Sequence, residues 1–116
     1  MKHVLFVCSK NRWRSPTAEQ VFASWAGIEV NSAGLAHDAV NPVTPELLEW
    51  ADLIFVMEQL HRSKRSKQFR PYLKSKKIVC LDIPDEYQYM DQALIQLLKD
   101  RVPRFLPRSC VRDSTR

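Results

Sequence analysis

Hydrophobic and polar positions alternate between two patterns along the chain. Short apolar runs rich in β-branched or aromatic residues occur at 3–7 (HVLFV), 52–57 (DLIFVM) and 77–83 (KIVCLDI). Each is typical of a strand that is buried on both faces. A weaker run, IEVNSAG at 28–34, ends at Gly34. We therefore expect about four strands.

Apolar residues between these runs follow the spacing of a helix. In 15–27 (SPTAEQVFASWAG) they recur at i, i+3, i+4 and i+7, with Pro16 in the first turn and Gly27 as the stop. Thr44 is a candidate N-cap for a second helix, and Pro45 would be its first residue. Two helices are thus predicted in the first half of the chain.

The second half of the chain predicts a further helix at 91–102, with Asp91 as its candidate cap. Its apolar stripe consists of Ala93, Leu94, Leu97, Leu98 and Val102. The basic stretch from 58 to about 68 can also be helical. Beyond residue 102 there are two prolines, scattered arginines and little apolar periodicity. We expect one domain at 1–102 and a flexible basic tail at 103–116.

Strands that alternate with helices pair in parallel, with helices on both faces of the sheet. The predicted fold class is therefore α/β, a three-layer α/β/α sandwich with a roughly four-stranded parallel sheet. Ligands of such sheets bind beyond the carboxyl ends of the strands. Cys8 lies at this edge, immediately after the first predicted strand.

Composition and charge narrow the function classes. The 116 residues are 45% apolar, which suits one ordinary globular domain. The formal net charge of +5 is concentrated: 61–77 holds eight Lys or Arg and no acid. Such a run can bind nucleic acid, but aromatic residues are not interleaved as stacking platforms, so a solvated helix face is favoured. A nucleic-acid partner is therefore disfavoured but stays an alternative.

Targeting signals and cysteine spacing bear on where the protein is located and on the role of its cysteines. The chain has no signal-peptide pattern and no apolar run of the ~20 residues that a membrane span needs, so we expect a cytoplasmic protein without a membrane partner. Cys8, Cys80 and Cys110 are an odd number without metal-ligand spacing. Neither a disulfide framework nor a zinc site is predicted. Packing in a strand explains Cys80, and Cys110 has no assigned role.

The loop at 9–14 joins the first strand to the first helix. Backbone N–H groups and the partial positive charge at a helix N-terminus bind a phosphate-sized anion in such a loop. Arg14 can contact two oxygens of that anion with its planar guanidinium. The same positive charges favour the thiolate form of Cys8, and Ser15 can donate a hydrogen bond to the sulfur. A lone cysteine at a strand end is usually inert packing, but here it occurs together with an anion-binding loop.

The stretch VCSKNRWRSP carries a family resemblance. Cys8, Asn11, Arg14, Ser15 and Pro16 resemble the Cys-x5-Arg-Ser-Pro phosphate loop of low-molecular-weight protein tyrosine phosphatases. VNSAG and WADLIFVME are similar to that family's second and third strands, and IPDEYQYMD is similar to its acid loop. The resemblance covers roughly residues 3–100.

The resemblance implies a role for each of these residues. Cys8 would be the nucleophile that forms a phosphocysteine, and Arg14 would bind the phosphoryl oxygens. Asp85 would protonate the leaving phenolate and then deprotonate the hydrolytic water. Ser32 would be a supporting hydrogen-bond partner, and no metal or other cofactor would be needed. The substrate-binding residues implied in this way are Ser9, Lys10, Asn11, Arg12, Trp13, Ser15 and Tyr87.

The sequence departs from the family pattern in several places. Lys10 stands where the family usually has glycine, and Trp13 stands where many members have a second cysteine. The acid loop lacks the Asp-Pro pair, so Asp82 is a rival acid. We favour Asp85, because Tyr87 follows it at the family's spacing.

We expect a metal-independent phosphatase that hydrolyses phosphotyrosine-like monoesters in a phosphorylated protein or a small phosphate ester. An arsenate reductase is disfavoured, because its relay needs two further cysteines and Cys80 and Cys110 form no close pair in the sequence. A module that binds phosphate or nucleic acid with little turnover is the other alternative. The weakened acid loop favours that module, whereas the intact Cys8, Arg14 and Ser15 oppose it.

Overall fold

The computed structural model describes residues 2–8, 13–35, 39–57, 77–84 and 86–106. In these residues the strands form one parallel sheet in the order β2-β1-β3-β4, which confirms the predicted fold class. The elements are β1 (Lys2–Cys8), α1 (Arg14–Phe22), β2 (Ile28–Gly34), α2 (Pro45–Trp50), β3 (Leu53–Val56), β4 (Lys77–Cys80), α3 (Gln92–Arg101) and a 3₁₀ turn (Pro103–Phe105).

The central strand β1 divides the core into two layers. Alternate side chains of a strand point to opposite faces of the sheet. Phe6 and Cys8 therefore pack on the side of α1 and α3, which we call the α1 side. Val7 packs with Leu48 of α2 on the other face, the α2 side. Helices thus cover both faces, as predicted. Phe6 stacks on Phe22 with 5.8 Å between ring centroids, and this contact fixes α1 against the sheet.

The first helix is shorter than its apolar spacing predicted. It ends at Phe22, and the main-chain N–H of Trp25 donates to the carbonyl of Phe22 in a turn. The Trp25 ring still packs edge-on against Phe22 at 4.7 Å. Gly27 has a φ of 86°, which a residue with a Cβ adopts at a cost. The apolar spacing therefore continues through a turn that packs on the core, not through a helix.

The other two helices begin at their predicted caps. The Thr44 hydroxyl accepts from the N–H of Leu47 at 3.2 Å, with Pro45 as the first helical residue. The Asp91 carboxylate accepts from the N–H of Ala93 at 2.8 Å. The buried stripe of α3 differs slightly from the prediction, because Ala93 is exposed and Ile95 is buried in its place. Burying Ile95 removes more apolar surface from water than burying alanine does.

The packed chain continues past the predicted boundary at residue 102. Pro103 starts the 3₁₀ turn, Phe105 packs edge-on against Phe55 at 6.0 Å, and Leu106 is buried. The apolar surface that Phe105 and Leu106 remove from water stabilises this segment. Residues 107–116 lie outside the described residues, so the predicted tail stays a prediction there.

The basic stretch at 58–76, which the sequence predicted to be partly helical, also lies outside the described residues. In the part of the chain that is described, no helix combines the length and apolar character needed to cross a bilayer.

Candidate active site

Cys8 is the last residue of β1, and its side chain is only 3% exposed. Its Sγ lies 3.0 Å from the Oγ of Ser15, which belongs to the first turn of α1. The Ser15 hydroxyl also contacts the carbonyl of Ala33 at 3.4 Å. A serine hydroxyl has one proton to donate. With a Cys8 thiolate, that proton is directed at the sulfur; with a neutral thiol, the sulfur can donate and the hydroxyl can turn to Ala33.

Arg14 is the first residue of α1 and is 2% exposed. One guanidinium nitrogen donates to the carbonyl of Ile83 at 2.9 Å. Ile83 follows β4 and stands two residues before Asp85. The bond therefore joins the predicted phosphate-binding arginine to the predicted acid loop, although the two are 69 residues apart in sequence.

Ser32 on β2 is buried and has two polar partners. Its hydroxyl donates to the carboxylate of Glu19 on α1 at 2.5 Å, and its carbonyl accepts from the side-chain amide of Asn41 at 2.6 Å. These bonds connect β2 to α1 and to the chain before α2. Sequence reasoning assigned no role to Glu19 or Asn41. Glu19 belongs to the segment TAE at 17–19, which directly follows the phosphate loop and is also similar to the family, whereas nothing in the sequence marked Asn41.

Thr17 is a third residue to which the sequence assigned no role. Its hydroxyl donates to the carbonyl of Trp13 at 2.6 Å and accepts from the N–H of Met90 at 2.8 Å. Trp13 ends the phosphate loop and is 41% exposed. Met90 directly precedes the cap of α3. Thr17 therefore connects the end of one predicted loop to the end of the other.

Asp82, the rival acid, lies in a different environment from Cys8. Its carboxylate accepts from the thiol of Cys80 at 3.4 Å. Cys80 packs on the α2 side of the sheet, opposite the core layer that contains Cys8. A cavity of about 290 Å³ lies beside this contact and is lined by Cys80, Leu81, Asp82, Arg101, Arg104 and Phe105. These contacts weaken the case for Asp82 as the acid.

The structure brings together some of the predicted site residues. Cys8, Ser15 and Arg14 meet at the junction of β1 and α1. Tyr87 is half-buried against the α1 side of the core. The remaining predicted residues, Ser9, Lys10, Asn11, Arg12 and Asp85, lie outside the described residues.

The sequence predicts no metal site and disfavours a cysteine relay. In the described ranges no three His, Cys, Asp or Glu side chains gather as a metal site would require. The expectation that no metal is needed stays a prediction. Cys110, which a cysteine relay would use together with Cys80, lies outside these ranges.

Three features of this site can be stated together. A cysteine ends the first strand of a parallel α/β sheet, a serine contacts its sulfur, and a buried arginine begins the next helix. The family model for the low molecular weight phosphotyrosine protein phosphatases matches residues 3–52, which contain all three side chains. Over this part, which is less than half of the chain, the protein is similar to that family.

One curated relative shows the same similarity. The chain is 35% identical over 96 residues to a protein-arginine-phosphatase from Bacillus subtilis. That match covers 60% of this chain and 64% of the relative, so the chain spans less than two thirds of the relative's length.

Solved structures share the fold. The tyrosine phosphatase Wzb from Escherichia coli K30 has a TM-score of 0.72 at 21% identity, covering 90% of this chain and 95% of that one. A low molecular weight protein tyrosine phosphatase from Streptococcus pyogenes has a TM-score of 0.74 at 18% identity, covering 93% and 95%.

Proposed function

We propose that this protein is a metal-independent phosphatase that hydrolyses phosphotyrosine-like monoesters of proteins through Cys8. The observation that carries the proposal is the contact between Cys8 and Ser15 at the start of a helix whose first residue is the buried Arg14. A thiolate, a donor to that thiolate and a fixed cation are the groups that phosphoryl transfer to sulfur requires.

The first chemical step transfers the phosphoryl group to sulfur. The Cys8 thiolate attacks phosphorus, a sulfur–phosphorus bond forms, and the bond from phosphorus to the ester oxygen breaks. Asp85 gives its proton to the departing oxygen, so that the alcohol leaves neutral. Arg14 and the backbone N–H groups of the loop neutralise the charge on the phosphoryl oxygens.

The second step restores the enzyme. A water molecule attacks the phosphorus of the phosphocysteine while Asp85, now a carboxylate, accepts a proton from that water. The sulfur–phosphorus bond breaks, inorganic phosphate is released, and the electron pair returns to Cys8 as a thiolate. The Ser15 hydroxyl donates to this leaving thiolate, which makes it a better leaving group.

Phosphoarginine in proteins is a second candidate substrate, because the curated relative is a protein-arginine-phosphatase. The charges of the loop favour the aryl ester instead. Lys10, Arg12 and Arg14 fall within eleven residues, 8–18, that contain no acid. These cations attract a phosphate dianion and disfavour a cationic leaving group such as guanidinium. The exposed ring of Trp13 at the end of the loop adds an apolar surface that suits a phenyl group.

The partner is accordingly a phosphorylated protein or a small phosphate ester. The sequence favours a cytoplasmic location over a membrane one. Binding of a phosphate ester accounts for the positive charge at 8–18, so a nucleic-acid partner is not needed to explain it.

Hydrolysis of p-nitrophenyl phosphate in the presence of a chelator tests the proposal. Wild-type protein should be active, Cys8→Ser should be inactive, and Cys80→Ser should serve as the matched control with unchanged activity. Equal rates for wild type and Cys8→Ser would end the proposal. The values of kcat/KM should then be compared for a tyrosine-phosphorylated and an arginine-phosphorylated peptide that otherwise match in sequence. A higher kcat/KM for the arginine peptide would make phosphoarginine the substrate.

A further inference from the structure

Two arginines bind three consecutive carbonyl groups after β4. Arg101, in the last turn of α3, donates from one guanidinium nitrogen to the carbonyls of Leu81 at 2.7 Å and Asp82 at 2.8 Å. Arg14 donates to the next carbonyl, that of Ile83, at 2.9 Å. The segment with these three acceptors leads directly through Pro84 to Asp85.

This segment is also bound from its other side. The N–H groups of Leu81 and Ile83 donate to carbonyls at the end of β3, each at 2.8 Å. Asp82 lies between them with a φ of 55°, a conformation that costs a non-glycine residue about 1 kcal/mol or more. A turn of this kind persists only where surrounding contacts determine it. Two of the contacts that determine it come from Arg101.

We infer that Arg101 is a positioning residue for the general acid, an inference that rests on the proposed function. It acts through the main chain of Leu81 and Asp82 and touches neither substrate nor Cys8. Arg14 has to orient toward the phosphoryl oxygens, so it cannot by itself fix the entry of the acid loop. Arg101 supplies the remaining donors from the opposite helix.

The predicted consequence concerns proton transfer more than binding. Without Arg101 two carbonyls lose their donor and the backbone before Asp85 can relax from its turn. Misplacement of an acid slows a reaction in proportion to how much the leaving group needs a proton. Phenolate needs the proton far more than nitrophenolate does. Arg101 binds the carbonyls of Leu81 and Asp82, whereas the Cys8–Ser15 contact lies at the start of α1, so substrate affinity should change little.

Steady-state hydrolysis of phenyl phosphate and p-nitrophenyl phosphate by three variants tests the inference. Arg101→Ala should lower kcat for phenyl phosphate by about tenfold or more and for the nitrophenyl ester by less than about threefold, with KM nearly unchanged. Arg101→Lys should recover part of the loss, because an ammonium can still donate to one carbonyl. Arg104→Ala, which removes the same charge from the same cavity, is the matched control and should leave the ratio of the two rates unchanged.

The outcomes separate this inference from the proposed function. A wild-type protein that hydrolyses neither ester overturns the function and the inference together. An active wild type with equal losses for both esters in Arg101→Ala shows a merely structural role and overturns the inference alone. Thermal melting with and without vanadate checks that each variant folds and retains its anion site. If Arg101→Ala does not fold, Arg101→Lys tests the inference instead. The ratio of its rate with phenyl phosphate to its rate with p-nitrophenyl phosphate must then be lower than that of the wild type.

Discussion

The Sγ of Cys8 and the Oγ of Ser15 lie 3.0 Å apart, at the end of β1 and in the first turn of α1. The pair joins the strand to the helix across the whole phosphate loop. Because both atoms are buried, little water competes for the contact. In the proposed mechanism the hydroxyl would therefore stabilise charge on the sulfur when the phosphocysteine is hydrolysed.

Replacement of Ser15 by alanine should lower kcat for p-nitrophenyl phosphate by about 10- to 100-fold. A hydrogen bond to a charged group contributes about 1.5–3 kcal/mol, and each 1.4 kcal/mol or so changes a rate about tenfold. The loss should fall mainly on hydrolysis of the phosphocysteine, so the burst of nitrophenol should become more visible. Ser24→Ala, an exposed position in the turn after α1, is the control. An unchanged kcat in Ser15→Ala would contradict the assigned role.

Phosphate or vanadate should stabilise the protein through Arg14. A ligand at about a hundred times its Kd adds about 2.7 kcal/mol to the free energy of unfolding. Arg14→Ala should lose most of the resulting rise in melting temperature. Arg14→Lys keeps the charge but not the planar pair of donors, so an intermediate rise is expected. The same rise in all three proteins would place the anion elsewhere.

The two candidate acids can be separated by the leaving group of the substrate. Asp85→Asn should slow hydrolysis of phenyl phosphate by about 10²-fold or more, and that of the nitrophenyl ester far less. Asp82→Asn should change both rates little, because the Asp82 carboxylate contacts the thiol of Cys80 on the α2 side of the sheet. Reversed behaviour of the two variants would make Asp82 the acid. If neither variant changes turnover while Cys8→Ser abolishes a slow burst, a phosphate-binding module is the better description.

Removal of the Ser32 hydroxyl should destabilise the fold more than it changes catalysis. Ser32→Ala leaves the Glu19 carboxylate without this donor, which costs about 1–3 kcal/mol where the group is partly buried. Urea unfolding should report the loss, with Ser24→Ala again as the comparison. A double-mutant cycle with Glu19→Gln isolates the pair, and additive effects of the two changes would show that the bond contributes nothing.

Local patterns were sufficient to predict most of the fold. A buried strand is a short apolar run, and the caps of α2 and α3 bond to N–H groups within three residues of Thr44 and Asp91. Such features are local, so they are visible in the sequence. The contact between Cys8 and Ser15 was predictable for the same reason, since the two residues are seven positions apart, whereas the loop at 9–12 stays a prediction. The end of α1 was not predictable from the spacing of apolar residues. Trp25 packs against Phe22 from a turn, and the same spacing would also place it on the buried face of a longer helix.

Contacts between distant segments were the part that the sequence did not reveal. Arg101 and Asn41 both donate to main-chain carbonyls, and every residue carries such an acceptor, so no residue type marks the partner. The packing of Leu106 was missed for a related reason, since isolated apolar residues among prolines show no period. Arg101 becomes identifiable only when the topology places α3 beside the end of β4, and Asn41 only when the chain before α2 lies beside β2.

The Thr17 hydroxyl, which accepts from the N–H of Met90, has a further consequence for the acid loop. The chain that contains Asp85 is anchored at its entry by Arg14 and Arg101 and at its exit by Thr17. As the proposed general acid, Asp85 on this tether would reach the leaving oxygen at a high effective molarity. The entropy of orienting it is lost once, when the chain folds, and not again in each catalytic cycle.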